Sequence, residues 1–411
     1  MRKLKKQRGI TLVALVITII ILLLLAGISI AALTNQGLFG QANRAKDLTA
    51  QKAAEENETL ENYLAQMNAY DTNNSKVDED IFKNVDKTKT NPEAAMPKRA
   101  IVLEADANKG IVIKDSNENE WTWVEVPMSV TKDKTTDSDI ESALIAYATD
   151  YREGATGQEL SWKDEWYDGC GMAESEYNTT KSKMLQSIKL NGGFWISRYE
   201  IGDSTATGSN TTRTADSGIT GAAVSKANQI PYNFVKCSEA QTLAKGMSDD
   251  SSKTSSLLFG IQWDLTCKFI EKNLKIDYIK NDSTNWGNYK NSSLTLYRGK
   301  YVISPLDTSN KWKMFNENTD NYVNNCKTLN NENYQLLTTG ASEETKIMNI
   351  YDLAGNEWEW TLEHATSDVN LPATVRGGSF YYEGSVDPIS VRGNNYAIEQ
   401  NSDFGFRSVL Y

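Results

Sequence analysis

The sequence predicts an α+β protein: an N-terminal helix able to span a membrane, followed by a mixed domain of short strands and helices. Three observations carry this. Ile10 to Leu33 is an apolar run without a charged residue. A helical period then continues to Tyr70. Beyond Arg99 the pattern changes to strand-like runs rich in aromatics, broken by Gly and Asn turns and by two amphipathic helices.

The apolar run, as a helix, is about 36 Å long and can cross a hydrocarbon core of about 30 Å. In water nothing would cover a helix that is apolar all round. Residues 10–33 are therefore expected to be a transmembrane helix behind a basic leader, residues 1–9. A signal peptide or simple anchor is the plainer alternative, but the apolar core is long and the helical pattern runs past it. The leader's charge favours a cytoplasmic N-terminus with the remainder outside the cell. Over 34–70, Leu38, Ala42, Ala45, Ala53, Leu60, Leu64 and Met67 recur at helical spacings between charged residues. That reads as an amphipathic stalk helix or a spacer. Residues 71–99 are polar and read as a linker.

A basic leader, Gly9, then Ile10-Thr11-Leu12 heading an apolar helix resembles the N-terminus of type IV prepilins and pseudopilins. The resemblance implies cleavage after Gly9 by a prepilin peptidase, methylation of Ile10, and other pilins as partners in a surface pilus. The family usually carries Glu at the fifth mature position, where this chain has Ala14. That departure bears on filament assembly and not on insertion into the membrane.

Composition narrows the function. The 411 residues carry a formal charge of −11, and loss of the leader would deepen it. A surface this acidic argues against binding nucleic acid through bulk charge. Cys170, Cys237, Cys267 and Cys326 form no CxxC pair, and His364 is the one histidine. A Cys/His zinc site has little support. The thiols are open to either reading, disulfides in an exported chain or buried free groups. No GxSxG elbow accompanies His364, so a Ser-His-Asp triad is not indicated.

The domain expected over 100–411 starts with a hairpin, Gly110–Ile113 and Trp121–Val126 around the polar turn Ser116–Asn119. A long polar insertion follows, then a strand over Gly192–Glu200. Ser238 reads as the N-cap of a helix over Glu239–Met247. A second helix is expected over Gln262–Lys272. Lys280–Gly340, rich in Asn, Ser, Thr and Tyr, reads as ordered surface loops.

The C-terminal part holds NIYDLAGNEWEWT (Asn349–Thr361), VRGGSF (Val375–Phe380), VRGNN (Val391–Asn395) and FGFRSVL (Phe404–Leu410). In this order they resemble the formylglycine-generating enzyme and sulfatase-modifying-factor family, whose fold is a variant of the C-type lectin fold. Earlier segments GIVIKDSNENEWTWVEV, GGFWISRYE and SSLLFGIQWD fit the same pattern, so the resemblance covers roughly residues 100–411. The residues also have a physical reading. Ala354-Gly355-Asn356 is a tight turn. Trp358 and Trp360 alternate with Glu357, Glu359 and Thr361, giving one aromatic and one polar face. Arg376 and Arg407 need acidic partners, which Glu359 or Glu200 could supply.

The resemblance implies a calcium ion held by the Asp352 side chain, the carbonyls of Gly355 and Glu357, and the Glu359 carboxylate. Oxygen donors from a turn and two carboxylates suit that ion. It does not imply the family's oxidation chemistry. Those enzymes use two copper-binding cysteines after the GGS motif, and no cysteine follows Ser379 here. Copper is not expected. In that segment stand Tyr381, Tyr382, Glu383, Ser385, Asp387, Asn394, Asn395, Tyr396, Asn401 and Asp403. Such residues make adaptable recognition surfaces. The stretch resembles the variable region of lectin-fold proteins diversified by retroelements. The expected function is binding, by a single-pass membrane protein whose domain faces an unknown extracellular protein or glycan. An enzyme of the same fold with other chemistry, or a structural minor pilin, are the alternatives.

Overall fold

The computed structural model describes residues 81–152, 162–206, 213–219, 221–296, 298–303, 305, 311–314 and 334–411. The chain divides into two units, Met1–Lys76 and Val77–Tyr411, and every described residue belongs to the second. The leader, the apolar run over 10–33 and the stalk over 34–70 lie outside the described residues. Among the described residues no helix is long and apolar enough to cross a membrane.

In chain order the elements are α1 (Pro92–Ala95), β1 (Ile101–Glu104), β2 (Val112–Lys114), β3 (Glu120–Glu125), α2 (Asp137–Tyr147), α3 (Thr149–Arg152), β4 (Trp162–Lys163), α4 (Glu174–Asn191) and β5 (Gly193–Ser197). Then come β6 (Gly202–Asp203), β7 (Ala223–Val224), α5 (Cys237–Lys245), β8 (Ser255–Leu257), α6 (Gly260–Ile270) and α7 (Ile276–Lys280). The remainder is β9 (Lys300–Ile303), β10 (Lys313–Met314), β11 (Gln335–Leu337), β12 (Trp358–Ala365), β13 (Ala373–Arg376), β14 (Arg392–Asn395), β15 (Phe404–Phe406) and β16 (Ser408–Leu410). One sheet runs β1-β2-β3-β5-β16-β8, so the C-terminal strand closes beside strands from the start of the domain. A second runs β14-β13-β12-β15, with β4 also on β12. β9, β10 and β11 form a third, small sheet, and β6 pairs β7.

The expected hairpin is β2–β3, with Ile113 opposite Trp121. Trp121, Trp123, Trp195, Trp263 and Trp360 are fully buried, and Trp123 meets Trp195 edge-on at 5.0 Å. Each indole N–H is used, as a buried donor requires. Trp121 donates to Asp115, Trp123 to Thr90, Trp195 to the Ala95 carbonyl, Trp263 to Ile389 and Trp360 to Val235.

Two of these contacts correct the linker expected over 71–99. From Phe82 onward this stretch packs on the domain: Phe82, Thr90 and Ala95 are buried. Its polar composition hid anchors that act across 33 and 100 residues of chain. Helix α5 begins at Cys237, not after Ser238, because the Glu239 carboxylate accepts the Lys236 N–H and caps the helix two residues earlier. The second helix likewise lies two residues earlier than expected, at Gly260–Ile270. The polar insertion is ordered in part, and its largest element, α4, buries Tyr177, Thr180, Met184, Leu185 and Ile188 along one side.

Candidate functional site

Positive φ at Asp352 (54°), Gly355 (70°) and Asn356 (61°) folds the turn ahead of β12. A Cβ at Gly355 would stand 2.4 Å from the Asn288 carbonyl oxygen, so only glycine fits. Asn356 locks the turn: its amide oxygen accepts from Asn288 and from the Leu337 N–H, and its amide nitrogen donates to Glu200. β12 then buries both faces rather than one, with His364 its sole half-buried residue. Its polar positions are neutralised from across the sheet. Arg407 grips Glu359 in a bidentate pair at 2.9–3.2 Å and also donates to the carbonyls of Ser197 and Tyr351.

The calcium ion expected here does not fit this arrangement. Both Glu359 oxygens accept from Arg407, whose positive charge already stands where a cation would be drawn. Asp352 is likewise engaged, accepting from the Thr345 hydroxyl at 2.8 Å and from the Gly340 N–H. Among the described residues no three His, Cys, Asp or Glu side chains converge to hold a metal.

Arg376 turns to neither Glu359 nor Glu200. It pairs with Asp264 at 2.9 Å and Glu363 at 3.3 Å. Arg392 joins the same two acids at 2.6 and 3.0 Å, and Arg152 reaches Glu363 at 2.8 Å. These side chains are buried and join α3, α6, β12, β13 and β14. They are framework.

The loops beyond β13 present the recognition residues. Gly377 and Gly378 turn the chain at φ of 93° and 75°, and a Cβ at Gly378 would lie 2.4 Å from the Asp387 carbonyl oxygen. Phe380 is buried and Tyr381 half-buried, its ring tilted on Phe380 at 4.4 Å and on Tyr334 at 4.9 Å. Tyr382 is 46% exposed and sets its ring edge-on to Trp358 at 6.1 Å. Lys290 hydrogen-bonds the Tyr382 carbonyl through its backbone N–H, and its ammonium sits 5.8 Å from the Tyr334 ring. Tyr382, Glu383, Ser385 and Tyr396 are exposed, whereas Asp387, Asn394, Asn395 and Asn401 are half-buried. Burial pushes the Asp387 carboxyl up to about 6. Asp403 is a correction to the expected surface: it is buried, and one oxygen accepts the Ser379 hydroxyl at 2.9 Å. Asn394 and Asn395 lie in β14 opposite Thr374 and Ala373. The sequence reading missed Tyr334 and Lys290, although the Tyr-rich composition of 280–340 was the available signal.

Cys170, Cys237 and Cys267 are free and buried, and Cys326 lies outside the described residues. Burial pushes the Cys237 and Cys267 thiols up to about 12, which disfavours the thiolate that nucleophilic or metal chemistry needs.

Comparison with known proteins agrees with the architecture. No curated protein matches the chain. Among solved structures it is similar to Treponema denticola variable protein 1, at 15% identity over 53% of this chain and 84% of that one. The TM-score of 0.26 is too low for that likeness to carry weight. Residues 169–411 match the sulfatase-modifying factor enzyme 1-like domain, more than half of the sequence and all of the motifs from SSLLFGIQWD to FGFRSVL. The chain belongs to the sulfatase-modifying factor enzyme 1-like family.

Proposed function

We propose that this chain is a ligand-binding protein whose recognition surface is the aromatic loop around Tyr381 and Tyr382, not a catalyst. One observation carries the reading: Tyr382 stands half out of the surface on a buried Trp358, beside Tyr381 and Tyr334. Rings held on a rigid base give contact area at low entropic cost, and such anchors concentrate binding energy. The family's oxidation chemistry lacks its means, because no cysteine lies in this region and the three described thiols are buried. The ligand is an extracellular protein or glycan. Screening the full chain against a glycan array and a surface-protein library tests this. Tyr382→Ala is expected to abolish hits that the parent chain gives, and hits that survive it would move the site elsewhere.

The display reading rests on residues 1–70. In it, a prepilin peptidase cuts after Gly9, Ile10 is methylated, and the helix over 10–33 holds the chain in the membrane with its domain outside. Association with other pilins in a surface pilus follows from the same motif. Mass spectrometry of the mature N-terminus should find methylated Ile10; an intact Met1 or cleavage beyond Leu33 sinks it. Diversification by a retroelement predicts a near-copy of the 3′ end of the gene beside a reverse transcriptase.

A further inference from the structure

Four buried acceptor atoms lack any hydrogen-bond partner in one corner of the domain. They are both carboxylate oxygens of Glu357, one oxygen of Asp403, and the amide oxygen of Asn233. All three residues are at most 3% exposed. The sheet brings them together. β12 and β15 run parallel with Trp358 opposite Phe404, and the Trp358 N–H donates to the Asp403 carbonyl at 2.7 Å. Glu357 and Asp403 therefore stand side by side, just ahead of those strands. The Glu357 carboxylate lies over Gly405, where a Cβ would come within 2.0 Å of its oxygen. Asn233 is held against the same segment by its amide nitrogen, which donates to the Ser402 carbonyl at 2.7 Å.

Acceptors alone cannot satisfy one another. As carboxylates, Glu357 and Asp403 have no proton to give. One water molecule brings two protons to four orphan acceptors. The neighbouring cation, Arg213, donates to Asp203 and to the carbonyls of Asn233 and Gly218 but makes no hydrogen bond to Glu357. We propose that Glu357, Asp403 and Asn233 form a site for a hard divalent cation, Ca²⁺ or Mg²⁺. Donors that are all oxygen, two carboxylates and an amide, match that chemistry and not zinc or copper. The site differs from the Asp352–Glu359 turn in using the Glu357 side chain, and it lies under the recognition loop. The other Asp403 oxygen holds Ser379 at the root of Tyr381 and Tyr382.

The test uses the full chain in detergent, stripped of metal by chelation, with CaCl₂ and MgCl₂ titrated separately. At about 10 mM, above the range of extracellular calcium modules, the preferred ion should raise the melting temperature by about 5 °C. Glu357→Gln and Asp403→Asn each replace a buried carboxyl by a neutral amide of the same shape. Both should fold at least as well as the metal-free parent and lose the ion's effect, whereas Asp352→Asn should keep it. Terbium luminescence sensitised by tryptophan gives a second readout, which Ca²⁺ should compete away in the parent and which both variants should lack. No shift and no terbium binding in the parent would overturn the proposal. A shift that persists in both variants but vanishes in Asp352→Asn would overturn it too, and would return the ion to the turn.

Discussion

Tyr382 and Trp358 share one aromatic contact but divide its duties. Trp358 is 7% exposed and its partner 46%, so the same pair of rings holds the fold on one side and faces solvent on the other. Trp358→Ala should cost about 3–5 kcal/mol by chemical denaturation, the range for removing a buried large aromatic. Tyr382→Ala and Tyr396→Ala should shift the melting temperature by less than about 2 °C. The Tyr382 change should still weaken ligand binding about tenfold or more, a loss of about 1.4 kcal/mol. Asp387 gives a pH-dependent prediction. Its folded carboxyl is raised by burial to about 6, against about 3.9 in an unfolded chain. The stability it contributes is therefore present below about pH 4 and lost as pH rises through about 6. Asp387→Asn should raise the melting temperature at pH 7.5 and leave it unchanged at pH 4; equal curves would show that the carboxyl is solvated. Exposure of Tyr382 and Tyr396 was legible in the sequence, because neither belongs to a periodic apolar pattern. Burial of Asp403 was not, since it follows from Ser379 and from strand pairing with residues far away in the chain.

At the scale of elements, β12 shows how far alternation can mislead. Trp358, Trp360 and Leu362 alternate with Glu359, Thr361 and Glu363, which on a surface strand would mean one wet face. Here the polar residues are buried and each has a partner: Arg407 for Glu359, the Thr374 carbonyl for Thr361, Arg392 for Glu363. Alternation reports chemistry, and burial depends on what the next layer brings. Arg407→Ala should destabilise the domain by about 3–5 kcal/mol, because it strands a buried carboxylate. The double change with Glu359→Gln should recover part of that loss in the same urea titration, and no recovery would mean that Arg407 acts through Ser197 and Tyr351 alone. The helices α5 and α6 were legible to within two residues, their starts being set by caps and turns that one residue can shift. Helix α4 was missed although Tyr177, Met184 and Ile188 fall at helical spacing. The Asn, Thr, Ser and Lys between them dilute the stripe below what a window of sequence reveals.

For the whole molecule, the framework motifs were legible as an ordered set, and the family follows from them. What joins them was not, because it is an ion network spread over more than two hundred residues of chain. Arg152, Arg376 and Arg392 meet Asp264 and Glu363 with their charged ends out of water. Asp164 adds a third acid, placed 3.8 Å from Arg152 and accepting the Gly260 and Ile261 N–H groups at the start of α6. Three cations against three anions leave no net charge, which lets so many ionised groups remain buried together. Such a cluster adds little to stability over a well-packed apolar core, yet it is strongly destabilising when one member is removed. Glu363, like Asp264, touches all three arginines. Glu363→Gln keeps its shape and removes its charge, so it should lower stability by about 3–5 kcal/mol in urea titration of the full chain. The solvent-facing pair of Lys226 and Glu118, 3.2 Å apart, is the control. Glu118→Gln should leave the urea midpoint nearly unchanged, because water screens that pair. If the two substitutions prove equal in cost, the arginine cluster is hydrated and does not join the elements it connects.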